Sequence, residues 1–328
     1  MSYKFSETKL KKYSLFSIGS KKFGYGHFSR IENLISTLNK KNKKFSHYSY
    51  GDQLKNKKNF LDKINYELEL KRYVILDLTN HFFLNKTTRK KLKKIFSKKK
   101  LAKVIIIDAP IKKNLSTFLD LNYSKTLIPF DITKDLENSF KKIKKKKIGS
   151  DYFIYPYKNI VNEKKQYDII LSFGASDNYK GTLYVLKLLE ILKLKRKILV
   201  VFGKYFKENY KIKILEICKK NKFSSISFSK NFSNILNKSR LLITNSGLTK
   251  YQGVLHGLKV IVFSDTRESQ KIDKMFIKKT KQFNFPSSRS FDNDVIILKK
   301  ILQNKLNFKT VKKKNFLPNI KKIKDFFK

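Results

Sequence analysis

Short, almost wholly apolar runs alternating with amphipathic helical patterns constrain what this chain can fold into. YVILDL (Tyr73–Leu78), KVIIID (Lys103–Asp108), DIILSF (Asp168–Phe173), ILVVF (Ile198–Phe202), LLIT (Leu241–Thr244) and KVIVF (Lys259–Phe263) are strand-sized and rich in β-branched residues. A strand that is apolar on every residue is buried on both faces, as happens when crossover helices cover a parallel sheet. Helical spacing lies between these runs. Ile31, Leu34, Ile35 and Leu38 mark a helix opened by His27, and further helices are predicted over Asp52–Leu68, Thr87–Ser97, Asp135–Lys147, Thr182–Leu192, Tyr205–Asn221, Asn231–Asn237 and Asp292–Leu302. Lys11–Ile18, Phe45–Tyr50, Thr126–Phe130 and Phe223–Phe228 complete the predicted strands. The alternation breaks at Gly149–Gln166, which contains Pro156, and then restarts. An α/β chain of two Rossmann-like domains follows, with parallel sheets facing across a cleft that takes the ligand. The expected division is 1–150, a linker over 151–166, a second domain over 167–311, and a basic tail over 312–328 with a short amphipathic end at Ile320–Phe327.

At 328 residues the chain has the length for two such domains, and 41% hydrophobic residues suffice for real cores. The formal charge of +51 raises a nucleic-acid reading. Only seven of the 76 basic residues are arginine (Arg30, Arg72, Arg89, Arg196, Arg240, Arg267 and Arg289), and the lysines are spread along the whole chain. Base and phosphate readers lean on the planar arginine fork, so no specific nucleic-acid partner is expected. Solvated faces explain most of the lysines, with weak attraction to an anionic membrane surface as a by-product. The single Cys218 excludes an intramolecular disulfide and reads as a small core residue. No stretch has the length of a signal core or a membrane span, and a cytoplasmic protein is expected.

Three segments carry residue types with chemical potential. Gly24-Tyr25-Gly26-His27, followed by Arg30, is a glycine loop feeding a helix N-terminus. A histidine there has its charged form disfavoured by the helix dipole and serves either as a neutral general base or as a capping group. Ser29 replaces the third glycine of a dinucleotide fingerprint. Ser172-Phe173-Gly174-Ala175-Ser176-Asp177 is a strand-to-loop switch, either an ordinary βα turn or one small enough to admit a diphosphate or sugar. Asn245-Ser246-Gly247 leads to a short helix carrying Tyr251 and Gln252, with Thr249 as its expected N-cap and Gly257 at its end. Free N–H groups at such a terminus can cradle phosphate. Asp77 and Asp108 close two predicted strands on the edge where α/β sheets bind ligands; each either orders its loop or holds a cation. His47, His81 and His256 are scattered and read as structural or exposed. No P-loop, paired-cysteine metal site, H-E-x-x-H or G-x-S-x-G elbow is present.

In this order and at these separations, Gly24-x-Gly26-His27-x-x-Arg30, Ser172–Asp177 and Gly247-x-Thr249-x-Tyr251-Gln252 with Gly257-Leu258 resemble the UDP-sugar hydrolases of pseudaminic acid biosynthesis. These release UDP from UDP-2,4-diacetamido-2,4,6-trideoxy-β-L-altropyranose and are relatives of spore-coat polysaccharide proteins and of the glycosyltransferase that makes lipid II. The resemblance spans about residues 13–270 and implies a GT-B-like architecture, a UDP-sugar substrate and no cofactor. It implies His27 as the catalytic base or water-orienting group. It further implies substrate binding by Gly24, Gly26, Arg30, Asp77, Gly174, Ser176, Asp177, Ser246, Gly247, Thr249, Gln252 and Gln270. Helix N-termini rather than an obligatory metal would stabilise the diphosphate leaving group. The chain departs from the pattern at four places. Gln252 stands where the family has a ribose-binding glutamate, Ala175 replaces a glycine, Asp108-Ala109 replaces paired aspartates, and Lys259 replaces a common proline.

The leading expectation is therefore a UDP-sugar hydrolase of nonulosonic acid biosynthesis, serving surface glycans. The first alternative is a GT-B glycosyltransferase that needs an acceptor. The second is a non-catalytic nucleotide-sugar or nucleic-acid-binding protein, supported by Gln252 and by the charge. The sequence leaves the oligomeric state open.

Overall fold

The computed structural model describes residues 11–20, 25–38, 43–51, 53–70, 72–78, 86–97, 104–107, 125–139, 145–156, 160–228, 231–303 and 319–327. Gly24, His81, Asp108 and Ala109 lie outside them. The chain divides into two compact units, one running to Tyr155 and taking in the C-terminal segment, the other beginning at Pro156.

The first unit is built on strands β1 (Lys11–Ile18), β2 (Lys43–Tyr50), β3 (Tyr73–Asp77), β4 (Val104–Ile107), β5 (Lys125–Ile128) and β6 (Lys146–Ile148). They form a parallel sheet in the order β2-β1-β3-β4-β5-β6. The strand order reverses between β1 and β3, so the connections from these two strands depart in opposite directions and open a crevice at their carboxyl ends. Helices α1 (Gly26–Leu38), α2 (Lys57–Glu69) and α3 (Lys86–Ser97) cover the sheet. Alternate residues of each strand face opposite ways. Phe16, Leu76, Val104 and Ile106 pack on Phe60, Ile64, Leu92 and Phe96 from α2 and α3. Leu15, Ile75, Ile105, Ile107 and Leu127 join Ile31, Leu34 and Leu38 of α1 on the other face.

The structure differs from the sequence reading in three places here. Helix α2 begins at Lys57 rather than Asp52, because Asn56 caps it by accepting from the amides of Lys58 and Asn59. The helix expected over Asp135–Lys147 is a short α4 (Lys134–Ser139), and Lys146–Ile148 is the edge strand β6. Four consecutive lysines followed by isoleucine carry no period-2 signal, so pairing with β5 decides that strand. The C-terminal end is not a free tail. Its helix (Ile320–Phe326) buries Ile323, Phe326 and Phe327 on the α1 face of the first sheet. There the Tyr13 hydroxyl donates to the carbonyl of Phe327 at 3.2 Å, and the Lys125 Nζ to that of Phe326 at 3.0 Å.

The second unit repeats the theme with β7 (Tyr167–Ser172), β8 (Ile198–Val201), β9 (Ser224–Ile226), β10 (Ser239–Asn245), β11 (Lys259–Phe263) and β12 (Phe283–Phe285). Their order is β12-β11-β10-β7-β8-β9, again wholly parallel, and reversal falls between β7 and β10. Helices α5 (Gly181–Leu192), α6 (Glu208–Lys220), α7 (Phe232–Asn237), α8 (Thr249–Leu255), α9 (Arg267–Thr280) and α10 (Phe291–Leu302) complete it. Cys218 is buried in this core beside Ile214, and burial pushes its thiol up to about 11. Helix α9 and strand β12 were not anticipated. Among the described residues no helix is long and apolar enough to cross a membrane.

Because Ile323 is fully buried at the chain's end, Ile323→Ala should lower unfolding free energy by about 2–5 kcal/mol. Urea denaturation of the full chain checks this; an unchanged midpoint would mean that the C-terminal helix adds nothing to the first unit.

Candidate functional site

Each sheet carries one of the sequence-singled segments at its reversal point. In the first unit, β1 leads to α1, whose first turn holds His27, and β3 ends on Asp77. The two strands are adjacent, with Ser17 opposite Asp77. Asp77 is completely buried, Arg30 is 3% exposed, and the side chain of His27 keeps 15% of its surface in solvent. His27 Nδ1 lies 2.7 Å from Asp77 Oδ1, Arg30 Nε donates to Oδ2 at 2.6 Å, and Arg30 Nη2 donates to Oδ1 at 2.5 Å. Burial alone would raise the Asp77 pKa, but the charges of Arg30 and His27 and their hydrogen bonds outweigh it and hold it below the usual carboxylate range. An ionised carboxylate only accepts, so Nδ1 supplies the proton in the His27 contact, with Arg30 Nη2 3.1 Å from the same nitrogen; when the ring is neutral its lone pair is on Nε2. Arg30 and Asp77, expected to bind substrate, instead lie behind His27 and hold its ring. Asp77 is satisfied by these partners and is not a cation ligand. Gly26 is the exposed first residue of α1.

His47 has a structural role: Nε2 pairs with the Ser17 hydroxyl at 2.8 Å and Nδ1 with Glu32 at 2.6 Å. His256 pairs with the Asn237 side chain through Nδ1 at 2.5 Å.

In the second unit the loops after β7 and β10 come together. The Thr244 hydroxyl donates to the Ser172 carbonyl at 2.6 Å and the Asn245 amide to that of Phe173 at 3.2 Å. Gly174 adopts φ 77°, a left-handed conformation that glycine takes without strain. The neighbouring Gly203 is needed for a different reason: a Cβ there would sit 2.3 Å from the Gly174 carbonyl oxygen. Ser176 lies half-buried on the turn. Asp177 is occupied as a helix cap, its oxygens accepting from the amides of Gly181 (2.7 Å) and Thr182 (2.9 Å) and from the Tyr210 hydroxyl (2.6 Å). A ligand-facing role for its carboxylate does not fit these contacts.

Thr249 is not the N-cap of its helix. Leu248 holds that position in a helical conformation, and no side chain caps the terminus. Gly247 is exposed, and its amide donates to Asn245 Oδ1 at 3.3 Å. The side-chain amide of Gln252, half-buried one turn into the helix, makes no hydrogen bond among the described residues, while its backbone N–H donates to the Leu248 carbonyl at 3.3 Å. Gln270 Oε1 accepts from the amide and hydroxyl of Ser287 at 3.3 and 3.1 Å, tying α9 to the loop after β12.

Several site residues escaped sequence reasoning. Lys250 and Asp273 form a buried ion pair beneath the Ser246–Gly247 turn. Arg289 spreads its guanidinium over Phe263 (5.0 Å) and Tyr184 (5.7 Å) and donates to the Ser264 carbonyl at 2.8 Å. Asp265, half-buried just past β11, has its carboxyl pushed up to about 7 by burial first and then by Asp177 and Asp273, against the pull of Arg289 and Lys250. The available signal was charge at apolar positions: Asp273 shares the buried stripe of α9 with Phe276 and Thr280.

Neither a family model nor a curated protein sequence matches the chain. Solved structures do. Anabaena Alr3699/HepE in complex with UDP aligns at TM-score 0.61 and 9% identity over 96% of this chain and 97% of that one. UDP-GlcNAc 2-epimerase from Methanocaldococcus jannaschii aligns at 0.54 and 12% over 96% and 97%. Acinetobacter baumannii MurG aligns at 0.53 and 11% over 96% and 95%. The chain has the GT-B fold of two Rossmann-like domains.

Two titrations of opposite sign follow. Asp77 has a lowered folded pKa, so the stability it contributes is present above its ordinary value of about 4 and is lost as pH falls through the lowered one. Asp77→Asn should cost about 3–5 kcal/mol at neutral pH, since Arg30 is left buried without its counter-charge, and the cost should shrink in acid. Asp265 has a raised pKa, so its contribution is full below about 4 and declines as pH rises to about 7. Asp265→Asn should therefore be more stable than wild type at about pH 8, with the gap narrowing as pH falls. Urea titrations across this range check both; parallel curves for variant and wild type would refute the corresponding assignment.

Proposed function

We propose that this protein is a GT-B-type enzyme that acts on a UDP-linked sugar and transfers the sugar to an acceptor hydroxyl. The observation that carries the reading is the His27–Asp77–Arg30 arrangement at the reversal point of the first sheet. With Nδ1 turned to Asp77, the neutral ring carries its lone pair on Nε2, and the carboxylate can stabilise the imidazolium as it forms. The second unit's edge, with the Gly174 and Gly247 turns and the unengaged Gln252 amide, would hold the nucleotide. The UDP complexes of HepE support the choice of nucleotide.

In this reading the acceptor hydroxyl loses its proton to His27 Nε2 while its oxygen bonds to the anomeric carbon. The bond from that carbon to the diphosphate oxygen breaks, and UDP leaves with the electron pair. Asp77 keeps the ring in register and stays ionised throughout. Arg30 holds Asp77 and is a positioning residue.

Hydrolysis is the second reading, favoured by the resemblance that Gly24-x-Gly26-His27-x-x-Arg30, Ser172–Asp177 and Gly247-x-Thr249-x-Tyr251-Gln252 carry together as a motif set; water then takes the acceptor's place in the same step. A diacetamido-trideoxy sugar of pseudaminic acid biosynthesis is the substrate that this motif suggests. A cytoplasmic site of action suits a nucleotide-linked donor.

Calorimetric titration should give tighter binding of UDP than of UMP or CMP. His27→Ala should retain UDP binding and lose UDP release from a UDP-sugar by about 10²-fold or more. UDP release that requires an added acceptor supports transfer, whereas release at full rate in water supports hydrolysis. Absence of UDP binding overturns both readings.

A further inference from the structure

Beneath the turn that follows β10, three side chains from three different segments meet at the carboxylate of a fourth. Asp273 of α9 is completely buried, and Lys250 of α8 is 1% exposed. Lys250 Nζ pairs with Asp273 Oδ1 and also donates to the carbonyl of Ser246 at 3.0 Å. Asp273 Oδ2 accepts from the hydroxyl of Ser246 at 2.6 Å and from that of Ser264 at 2.6 Å. Ser246 follows β10 and Ser264 follows β11, two strands paired directly with Asn245 opposite Phe263. The ammonium is flanked by the rings of Tyr251 at 5.2 Å and Phe276 at 5.4 Å.

We infer that Lys250 and Asp273 are positioning residues that fix the Ser246–Gly247 turn for nucleotide binding, rather than direct ligands of the nucleotide. The inference rests on the proposed placement of the nucleotide at this edge. Both Asp273 oxygens are occupied, and the Lys250 charge is spent on Asp273 and the Ser246 carbonyl. The Ser246 hydroxyl, expected to face diphosphate, is likewise committed inward. Adjacent Gly247 lacks a side chain and Leu248 makes no capping bond, so the turn's own tie is the Gly247 amide to Asn245 Oδ1 contact at 3.3 Å. The anchoring from below adds a second hold, on Ser246 itself. Stability alone does not require an ion pair here, since an apolar pair of similar volume often serves a core equally well. The pair's distinguishing effect is to grip the Ser246 backbone through its carbonyl and its side chain through the hydroxyl.

The test uses the full chain and compares thermal unfolding with UDP affinity. Lys250→Met and Asp273→Asn each leave a buried group without its partner and should lower the Tm. Lys250→Met with Asp273→Leu removes both charges together and should recover most of the Tm, yet bind UDP about tenfold or more weakly than wild type. Ser246→Ala keeps the ion pair, guards against a double variant that fails to fold, and should also weaken UDP binding with little change in Tm. Recovery of both Tm and UDP affinity in the double variant, or wild-type UDP affinity in Ser246→Ala, would overturn the positioning role. A wild-type protein that binds no UDP refutes the nucleotide reading itself, a result distinct from either of these.

Discussion

A carboxylate taken out of water must be met on both oxygens by cations or donors, or it will not stay ionised inside a protein. Among the described residues, three completely buried acids meet that requirement. Asp77 is held by Arg30 and His27, and Asp273 by Lys250, Ser246 and Ser264. Glu67 is held by Ser14, Tyr48, Lys63 and Arg72. In a chain with 76 basic and 25 acidic residues, cations are abundant and carboxylates scarce, so each buried acid becomes a hub. Two of the three hubs stand at or beside the carboxyl edge of a sheet, where they set the attitude of a loop. Glu67 instead ties α2 to β1 and β2 and belongs to the framework.

This contrast separates the overall charge from the chemistry. Most lysines cover solvated faces, and their sum says little about partners. The informative cations are the few that are buried: Arg30 orders a histidine, and Lys250 orders a turn. Arginine suits the first place because its planar fork meets Asp77 through two nitrogens. Lysine suits the second, where a compact ammonium meets one carboxylate oxygen and one carbonyl.

How much of this could be read from the sequence depends on the range of the interaction involved. Strand Lys259–Phe263 was legible to the residue because burial on both faces writes a near-continuous apolar run, and Lys11–Ile18 was legible although Ser14 and Ser17 interrupt its apolar residues. Strand β6 was not, since Lys146–Ile148 owes its state to pairing with β5. His27 and Arg30 were legible as one turn of a helix, and Asp77 as a strand end. That these three converge follows from β1 lying beside β3, which no local pattern states. Lys250 was passed over inside TKYQGVL, and Asp273 inside an unassigned helix, because their meaning lies in a contact 23 positions apart. Thr249 failed as a cap for a local reason: Leu248 is already in the helical region, so the helix begins without a side-chain acceptor.

The same reasoning bears on Gln252. A glutamate at this half-buried position would add a negative charge to a unit in which Asp177, Asp265 and Asp273 already act on one another. Mutual repulsion among these acids is part of what pushes Asp265 up to about 7. A neutral amide adds no charge to that cluster and still offers one acceptor and two donors. In the proposed nucleotide reading the amide would give up a charge-assisted bond to a ribose hydroxyl, about twice the strength of a neutral one, and would lower the repulsion toward a diphosphate. Where acids crowd the edge that is proposed to receive two phosphates, the neutral side chain is the physically consistent choice. The charges that remain are then those bound inward, on Asp177 and Asp273, together with an Asp265 whose raised pKa keeps part of its population neutral near pH 7.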